Sequence, residues 1–282
     1  MQTPGDAANA PTTDASPDDL HDLLRWAAGL LREAKLPSRP IGELERLAEQ
    51  VRQPCVVAVV GRVKAGKSTF VNALLGDDLA QVGTTETTAT INYFRYGTPD
   101  AELPVRCYWH SGHVTAESRA FLDRLQGNDI DTLRLATDIH HLEYLLPNPY
   151  LRDVTLVDTP GLAAVVDKHQ QRTAEFMNLR DQLCERQHAE TQRLSSEADA
   201  VIYVLGSVAR ASDAAFLEAF RDLTGGGSRA INAIGVLARI DVQPQILQQR
   251  HALVDRIARQ LERELNAVYP ISAGLQRALD TV

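Results

Sequence analysis

The run GRVKAGKST, Gly61 to Thr69, constrains this chain more than any other stretch. It fits G-x-x-x-x-G-K-[ST] and lies between a continuous β-branched run, CVVAVV (Cys55 to Val60), and a predicted helix from Lys67 to about Leu75. A strand buried on both faces, a glycine-bearing turn and a helix start together form a device for holding phosphate. Gly61 and Gly66 let the chain turn tightly without a Cβ in the way. The amides of Arg62, Val63, Lys64, Ala65 and the helix start at Lys67, Ser68 and Thr69 can then point at an anion. Lys67 would reach β- and γ-phosphate oxygens, and the Ser68 hydroxyl would ligate Mg2+.

The rest of the chain has to supply a sheet for that strand. INYFRYG (Ile91 to Gly97), VRCYW (Val105 to Trp109), HHLEYLLP (His140 to Pro147), VTLVDTPG (Val154 to Gly161), VIYVLG, INAIGVL and YPIS (Tyr269 to Ser272) read as further strands. Helices are expected at Gln170 to Ser196, Ala214 to Leu223 and Gln245 to Leu265, with a polar helical insertion at about Glu117 to Leu135. Strands alternating with helices predict an α/β fold, a mostly parallel sheet flanked by helices, of the P-loop NTPase type. HHLEYLLP and VTLVDTPG are expected to form a strand pair joined through NPYLRD. Ahead of Pro54, leucines at helical spacing from Leu20 to Leu31 and Ile41, Leu44, Leu47 and Val51 mark two amphipathic helices, the first broken by Pro37 and Pro40. Two helices cannot form a bundle alone, so they are expected to pack on the following domain or on helices outside this chain. Residues 1–17 read as a flexible polar leader without the basic start or apolar stretch of a signal peptide.

Composition removes several classes of function. A formal net charge of −8 argues against a protein held on nucleic acid by a basic surface. The longest apolar runs reach about a third of the roughly 20 residues of a membrane-spanning helix. Cys55, Cys107 and Cys184 are far apart and fit buried thiols in a reducing, cytoplasmic setting. His140 and His141 beside Glu143 fall in a predicted strand, which lacks the helical i, i+4 pairing of a zinc site.

Weaker signals follow the phosphate loop in a telling order. DTPG (Asp158 to Gly161) ends a strand, where the Asp158 carboxylate can hold a magnesium-bound water and the Gly161 amide can meet the γ-phosphate. ARID (Ala238 to Asp241) follows INAIGVL; there Asp241 can accept from the paired N–H donors of guanine, which adenine does not offer, and Arg239 would lie over the purine. ISAG (Ile271 to Gly274) follows the last strand, with a Ser272–Ala273 amide placed for the guanine O6. Between the phosphate loop and DTPG, five threonines occur in the seven residues from Thr84 to Thr90, reading as a switch loop whose threonine completes the magnesium shell. Together these make guanine the preferred base.

On these residues the chain resembles the GTPase domain of dynamin-like large GTPases of the bacterial branch, as in the mycobacterial isoniazid-inducible dynamin-like proteins. VVGRVKAGKSTFVNALLG, the threonine-rich loop running into FRYG, LPNPYLRDVTLVDTPG and ARID carry the resemblance, over about 220 residues from Pro54 to Gly274. It implies neck-like helices at 18–53, a dynamin-type GTPase domain at 54–282, and a stalk that this chain lacks, as in a fragment of a longer protein. It further implies a Mg2+-dependent GTP hydrolase that cycles between GTP and GDP and forms a homodimer through its nucleotide face. The full-length protein would remodel membranes, through the missing stalk or a partner chain, from the cytoplasm or the inner membrane face.

The switch threonine of the family falls on Thr88, with Thr87 its neighbour, so Ser68, Thr88 and Asp158 are the expected metal ligands. Leu162 stands where other GTPases carry a water-positioning glutamine, which leaves catalysis to Thr88, Mg2+, the Gly161 amide, Lys67 and phosphate-loop charge. Lys64 replaces the family's cation-holding serine, and its ammonium is expected to stand in for that cation. Ala238 and Arg239 replace Asn/Thr–Lys, with the expected loss of a side-chain tie to the phosphate loop. Two alternatives stay open: a GTP-binding switch or scaffold with negligible hydrolysis that recruits a partner, and a small GTPase of ribosome assembly, which the acidic balance disfavours.

Overall fold

The computed structural model describes residues 17–62, 64–75, 90–127, 129–160, 182–183, 185–187, 189–191, 193–194, 198–206, 213–215, 217–218, 232–241 and 244–272. The chain divides into two units, Met1–Pro54 and Cys55–Val282.

In the first unit, α1 (Pro17–Glu33) and α2 (Ser38–Val51) pack together through a short turn in which Lys35 takes a left-handed φ of 55°. Ala28, Ile41 and Ala48 are buried, and an Arg32–Glu45 ion pair joins the two helices. Pro40 was expected to break a helix. It instead sits in the first turn of α2, where its missing N–H would have had no helical partner.

In the second unit, nine strands form one sheet among the described residues, in the order β4-β3-β5-β2-β6-β1-β7-β8-β9. They are β1 (Cys55–Gly61), β2 (Asn92–Tyr96), β3 (Val105–Trp109), β4 (Val114–Glu117), β5 (Ile139–Leu146), β6 (Val154–Asp158), β7 (Ala200–Leu205), β8 (Ala233–Leu237) and β9 (Ala267–Pro270). From β6 through β1, β7 and β8 to β9 every pairing is parallel, so all five strands end on the same edge. The other wing is mixed: β2 runs antiparallel to β6 and parallel to β5, and β3 is antiparallel to both β5 and β4. The expected pairing of β5 with β6 is therefore corrected, because β2 lies between them.

Alternation along the strands sorts the core into two layers. Val59, Phe94, Leu142, Leu156 and Val204 face Phe70 and Val71 of α3 (Lys67–Leu75) and Phe121 and Leu125 of α4 (Arg119–Leu125). Ala58, Val60, Val201, Tyr203 and Leu237 belong to the opposite layer, with Ile257 of α7 (Arg250–Gln260) and Leu261 just beyond it. Each such side chain contributes roughly 1.5–3 kcal/mol by leaving water, which is why both faces of the central strands are covered.

Two expected helices are subdivided. The insertion, which follows the hairpin strand β4, is split into α4 and α5 (Ile130–Asp138), with Asp129 capping α5 by accepting from the Thr132 amide at 2.7 Å. The last helix is split into α6 (Pro244–Gln248) and α7. Described residues between 182 and 194 and between 213 and 218 are helical, within the helices expected there; the remainder of those helices lies outside the described residues.

Buried charge in the mixed wing is neutralised across strands. Glu143 of β5, 8% exposed, accepts from Arg95 of β2 at 3.1 Å and Arg106 of β3 at 3.2 Å. This ladder lets a carboxylate sit inside a sheet without an unpaired charge.

Candidate functional site

The parallel strands bring the loops after β1, β6, β8 and β9 to one edge of the sheet. Gly61 ends β1 with φ +152° directly opposite Val204 of β7. A Cβ there would fall 2.5 Å from the Val204 carbonyl oxygen, so only glycine lets the loop leave the sheet on this path. The loop then turns back on itself, the Ala65 amide donating to the Arg62 carbonyl at 3.2 Å. Gly66, at φ +100°, passes under Arg239 and Ala238, whose side-chain carbons lie 3.3–3.4 Å from where its Cβ would be. α3 starts immediately, the Phe70 amide donating to Gly66 O at 2.9 Å. The amides of Lys67, Ser68 and Thr69 precede that first helical bond and are the ones a helix leaves for an anion.

Beneath this loop the charges are nearly dry. Lys67 is 6% exposed and Asp158, at the end of β6, is 0% exposed. Both carboxylate oxygens of Asp158 lack a hydrogen-bond partner. Burial pushes the Asp158 carboxyl up to about 6, against the pull of Lys67. Burial also lowers the Lys67 ammonium, against the pull of Asp158. Desolvation outweighs mutual attraction on both partners, so the pair is arranged for charge that a ligand brings. After Asp158 the chain is pinned: the amide and hydroxyl of Thr159 both donate to Val59 O, at 3.3 and 3.0 Å.

An orphaned, buried carboxylate at the end of β6 and a half-buried serine hydroxyl at the start of α3 offer oxygen donors, the kind Mg2+ takes. Among the described residues no group of three or more His, Cys, Asp or Glu side chains is set to hold a metal ion.

At the base-reading end, the Ala238 amide donates to Leu205 O at 3.3 Å and the Ile271 amide to Leu237 O at 2.9 Å. These bonds extend the β7-β8-β9 ladder just past the strands and set Arg239, Asp241 and Ser272 on the same edge as the phosphate loop. Arg239 and Lys64 both take left-handed φ, +61° and +62°, uncommon outside glycine. The Arg239 guanidinium donates from Nη1 to the Lys64 carbonyl at 3.1 Å. The expected loss of a tie between the loop after β8 and the loop after β1 is thus corrected: Arg239, itself one of the two substituted residues, makes it.

Of the expected site residues, Gly61, Arg62, Lys64, Ala65, Gly66, Lys67, Ser68 and Thr69 lie in the loop after β1 and the start of α3, Asp158 at the end of β6, and Arg239, Asp241 and Ser272 in the loops after β8 and β9. Val63, Thr87, Thr88, Gly161, Leu162 and Ala273 fall outside the described residues. Two functional-looking contacts had no clear signal in the sequence. Tyr203 of β7 donates to the buried Asp213 at 2.8 Å, behind the phosphate loop. Asn148 of the LPNP turn donates to Leu75 O, the last carbonyl of α3, at 2.9 Å.

The sequence model of the dynamin family matches residues 57–240, nearly two thirds of the chain, from within β1 to the loop after β8. The chain belongs to the dynamin family. Within the family it is similar to the isoniazid-induced protein IniC of Mycobacterium tuberculosis, 31% identical over 240 residues, covering 83% of this chain and 45% of IniC. It is also similar to a probable transmembrane GTPase, FZO-like, of Arabidopsis thaliana chloroplasts, 28% identical over 162 residues, or 57% of this chain and 14% of that protein. The chain therefore spans about half the length or less of these relatives. Its fold matches a solved structure of an oligomerised bacterial dynamin pair with a TM-score of 0.53 at 19% identity, over 93% of this chain and 37% of that one. This dynamin-family chain is thus a P-loop GTPase domain of bacterial dynamin-like type. No helix among its described residues is long and apolar enough to cross a membrane.

Proposed function

We propose that this chain is the GTP-hydrolysing domain of a bacterial dynamin-like protein, binding GTP with Mg2+ and releasing GDP and phosphate. The observation that carries the reading is the buried Asp158 carboxylate, fully desolvated and unpartnered beside the buried Lys67 ammonium under a glycine-shaped loop. A buried carboxylate with neither oxygen hydrogen-bonded calls for a group to complete it, and a bound nucleotide with its metal ion supplies one.

In this reading the amides from Gly61 to Thr69 cradle the α- and β-phosphates, and Lys67 neutralises oxygens of the β- and γ-phosphates. Ser68 and Thr88 hold Mg2+ directly and Asp158 through water, and the ion supplies neutralisation of charge on the transferring phosphoryl group. The Gly161 amide meets the γ-phosphate. The Lys64 ammonium adds positive charge at the loop in place of a monovalent cation. The chain's own contribution to hydrolysis is positioning and electrostatic stabilisation, with water attacking in line. Asp241 selects guanine, Arg239 covers the purine, and the amides at Ser272 and Ala273 read its O6.

The relatives support placing this domain in a protein that works on membranes, one being described as a probable transmembrane GTPase and the oligomerised dynamin pair as sensing and tethering membranes, and in our reading it dimerises through its nucleotide face. Phosphate release from GTP and from ATP, with Lys67→Ala and Asp158→Ala controls, tests the reading. GTP-selective release lost in both variants is the expected result; equal turnover of ATP would remove the base assignment.

The replacement of a glutamine by Leu162 favours one alternative, a GTP-dependent switch with negligible hydrolysis. Single-turnover hydrolysis at low and high protein concentration separates the two, since a hydrolase driven by dimerisation accelerates with concentration.

A further inference from the structure

In the mixed wing of the sheet, the register between β3 and β5 slips by one residue. Tyr108 pairs with His141, but Trp109 pairs with Ile139, leaving His140 as the extra residue of a β-bulge. Regular alternation would send His140 and His141 to opposite faces of the sheet. The bulge re-aims His140 so that the two Nδ1 atoms converge to 2.6 Å. Two imidazole nitrogens hold that separation by sharing one proton, the place a metal cation takes in a chelate.

The surroundings pre-order the pair. The His141 ring lies between Tyr108, stacked at 4.2 Å and 14°, and Tyr93 at 4.7 Å. His140 meets His110 edge-on at 5.2 Å. The Nε2 atom of His110 is 3.8 Å from the Glu190 carboxylate, the outer partner that commonly orients a ligating histidine and leaves Nδ1 as the donor. Arg95 is the positive charge that reaches His141, and it is engaged by Glu143 at 3.1 Å.

We propose that His140 and His141 form a transition-metal site, taking Zn2+ through both Nδ1 atoms with His110 as third ligand and Glu190 behind it. Imidazole donors suit Zn2+, Cu2+ or Ni2+ rather than the hard Mg2+ of the nucleotide pocket. At Zn–N distances of about 2.0–2.1 Å and a tetrahedral angle, the two nitrogens stand roughly 3.3 Å apart. The pair therefore opens by roughly 0.7 Å, a small rotation of the exposed His140 ring. His110, His140 and Glu190 are not yet gathered on one point, so the third ligand arrives by side-chain rotation. A metal here ties β3 and β5 to the helical segment carrying Glu190, beside Thr90, the last residue of the threonine-rich run.

The test is calorimetric titration of the untagged, chelator-treated full chain with Zn2+, in excess Mg2+, with Co2+ absorbance reporting coordination geometry. The expected result is one Zn2+ per chain, weakened at least about tenfold in His140→Ala and lost in the His140→Ala/His141→Ala double variant. His113→Ala, a neighbouring exposed histidine on the hairpin, keeps wild-type affinity, and His110→Ala loses the tetrahedral Co2+ bands. His141→Ala removes a ring packed between two tyrosines, so the exposed His140→Ala, checked by circular dichroism, is the deciding variant. No uptake at micromolar free Zn2+, or unchanged affinity in His140→Ala, overturns the proposal and leaves the nucleotide site untouched.

Discussion

The Arg239 guanidinium donates to the Lys64 carbonyl at 3.1 Å, and both residues hold a left-handed backbone. Each costs conformational energy on its own. The bond between them makes the base-reading loop and the phosphate loop one unit, over a glycine, Gly66, that leaves room for the Arg239 stem.

Arg239→Ala is expected to weaken GTP and GDP alike by about 1–1.5 kcal/mol, roughly five- to tenfold in Kd. Arg239→Lys keeps one donor and restores part of the loss. Titration with fluorescent guanine nucleotides checks both, and a loss confined to GTP would mean that Arg239 acts on hydrolysis instead.

Lys64→Ala is expected to lower turnover about a hundredfold or more while leaving GDP affinity within a few-fold of wild type, as for loss of one preorganised charge. The wild type should turn over equally in sodium, potassium and a large inert cation. Strong potassium dependence would show that Lys64 does not replace a cation.

Asp158 makes a pH prediction with a definite sign. Its folded pKa is raised to about 6 from an ordinary carboxylate value, so between about pH 4 and 6 the folded, nucleotide-free state binds the proton and the unfolded state does not. The contribution to stability is fully present below about pH 4 and is lost as pH rises through about 6. Asp158→Asn should therefore stabilise the nucleotide-free chain at pH 7, by on the order of 3 kcal/mol at most, with the difference vanishing near pH 4. Denaturant melts of both proteins across that range measure it. Mg2+·GTP binding should run the other way, weakening as pH falls below about 6.

Gly61→Ala would bring a methyl group to 2.5 Å from the Val204 carbonyl, at a φ that alanine rarely adopts. The expected result is a loss of roughly 2–4 kcal/mol or failure to fold, read as melting temperature in the absence of nucleotide. Asn148→Ala removes a donor to the last carbonyl of α3 and should cost about 1 kcal/mol. A neutral result at Gly61 would show that the loop leaves β1 by another path.

What the sequence made legible was whatever short-range chemistry decides. β1, the glycine turn and α3 appear where CVVAVV, GRVKAGKST and the run to Leu75 place them, because burial and loop geometry are encoded within some twenty adjacent residues. The site edge followed, since parallel strands must end together. Relations between distant strands were not legible. β2 enters between β5 and β6, and nothing local to LPNPYLRD marks that insertion. β4 was not read as a strand, because its burial is slight and its identity comes from pairing with β3. The bulge at His140 is a register fact of two strands together, which a strand-by-strand reading does not report. Arg239 was read as covering the purine, and its second bond depends on a backbone angle that no spacing rule reports.

The most direct test is calorimetry of the folded chain with a non-hydrolysable GTP mimic and Mg2+, beside the matching ATP mimic. Heat that saturates at one guanine nucleotide per chain, with far weaker binding of the adenine mimic and none in Lys67→Ala, is the predicted result. Absence of heat with the guanine mimic, or equal affinity for both purines, would contradict the assignment of this loop, and of Asp241, to a guanosine triphosphate.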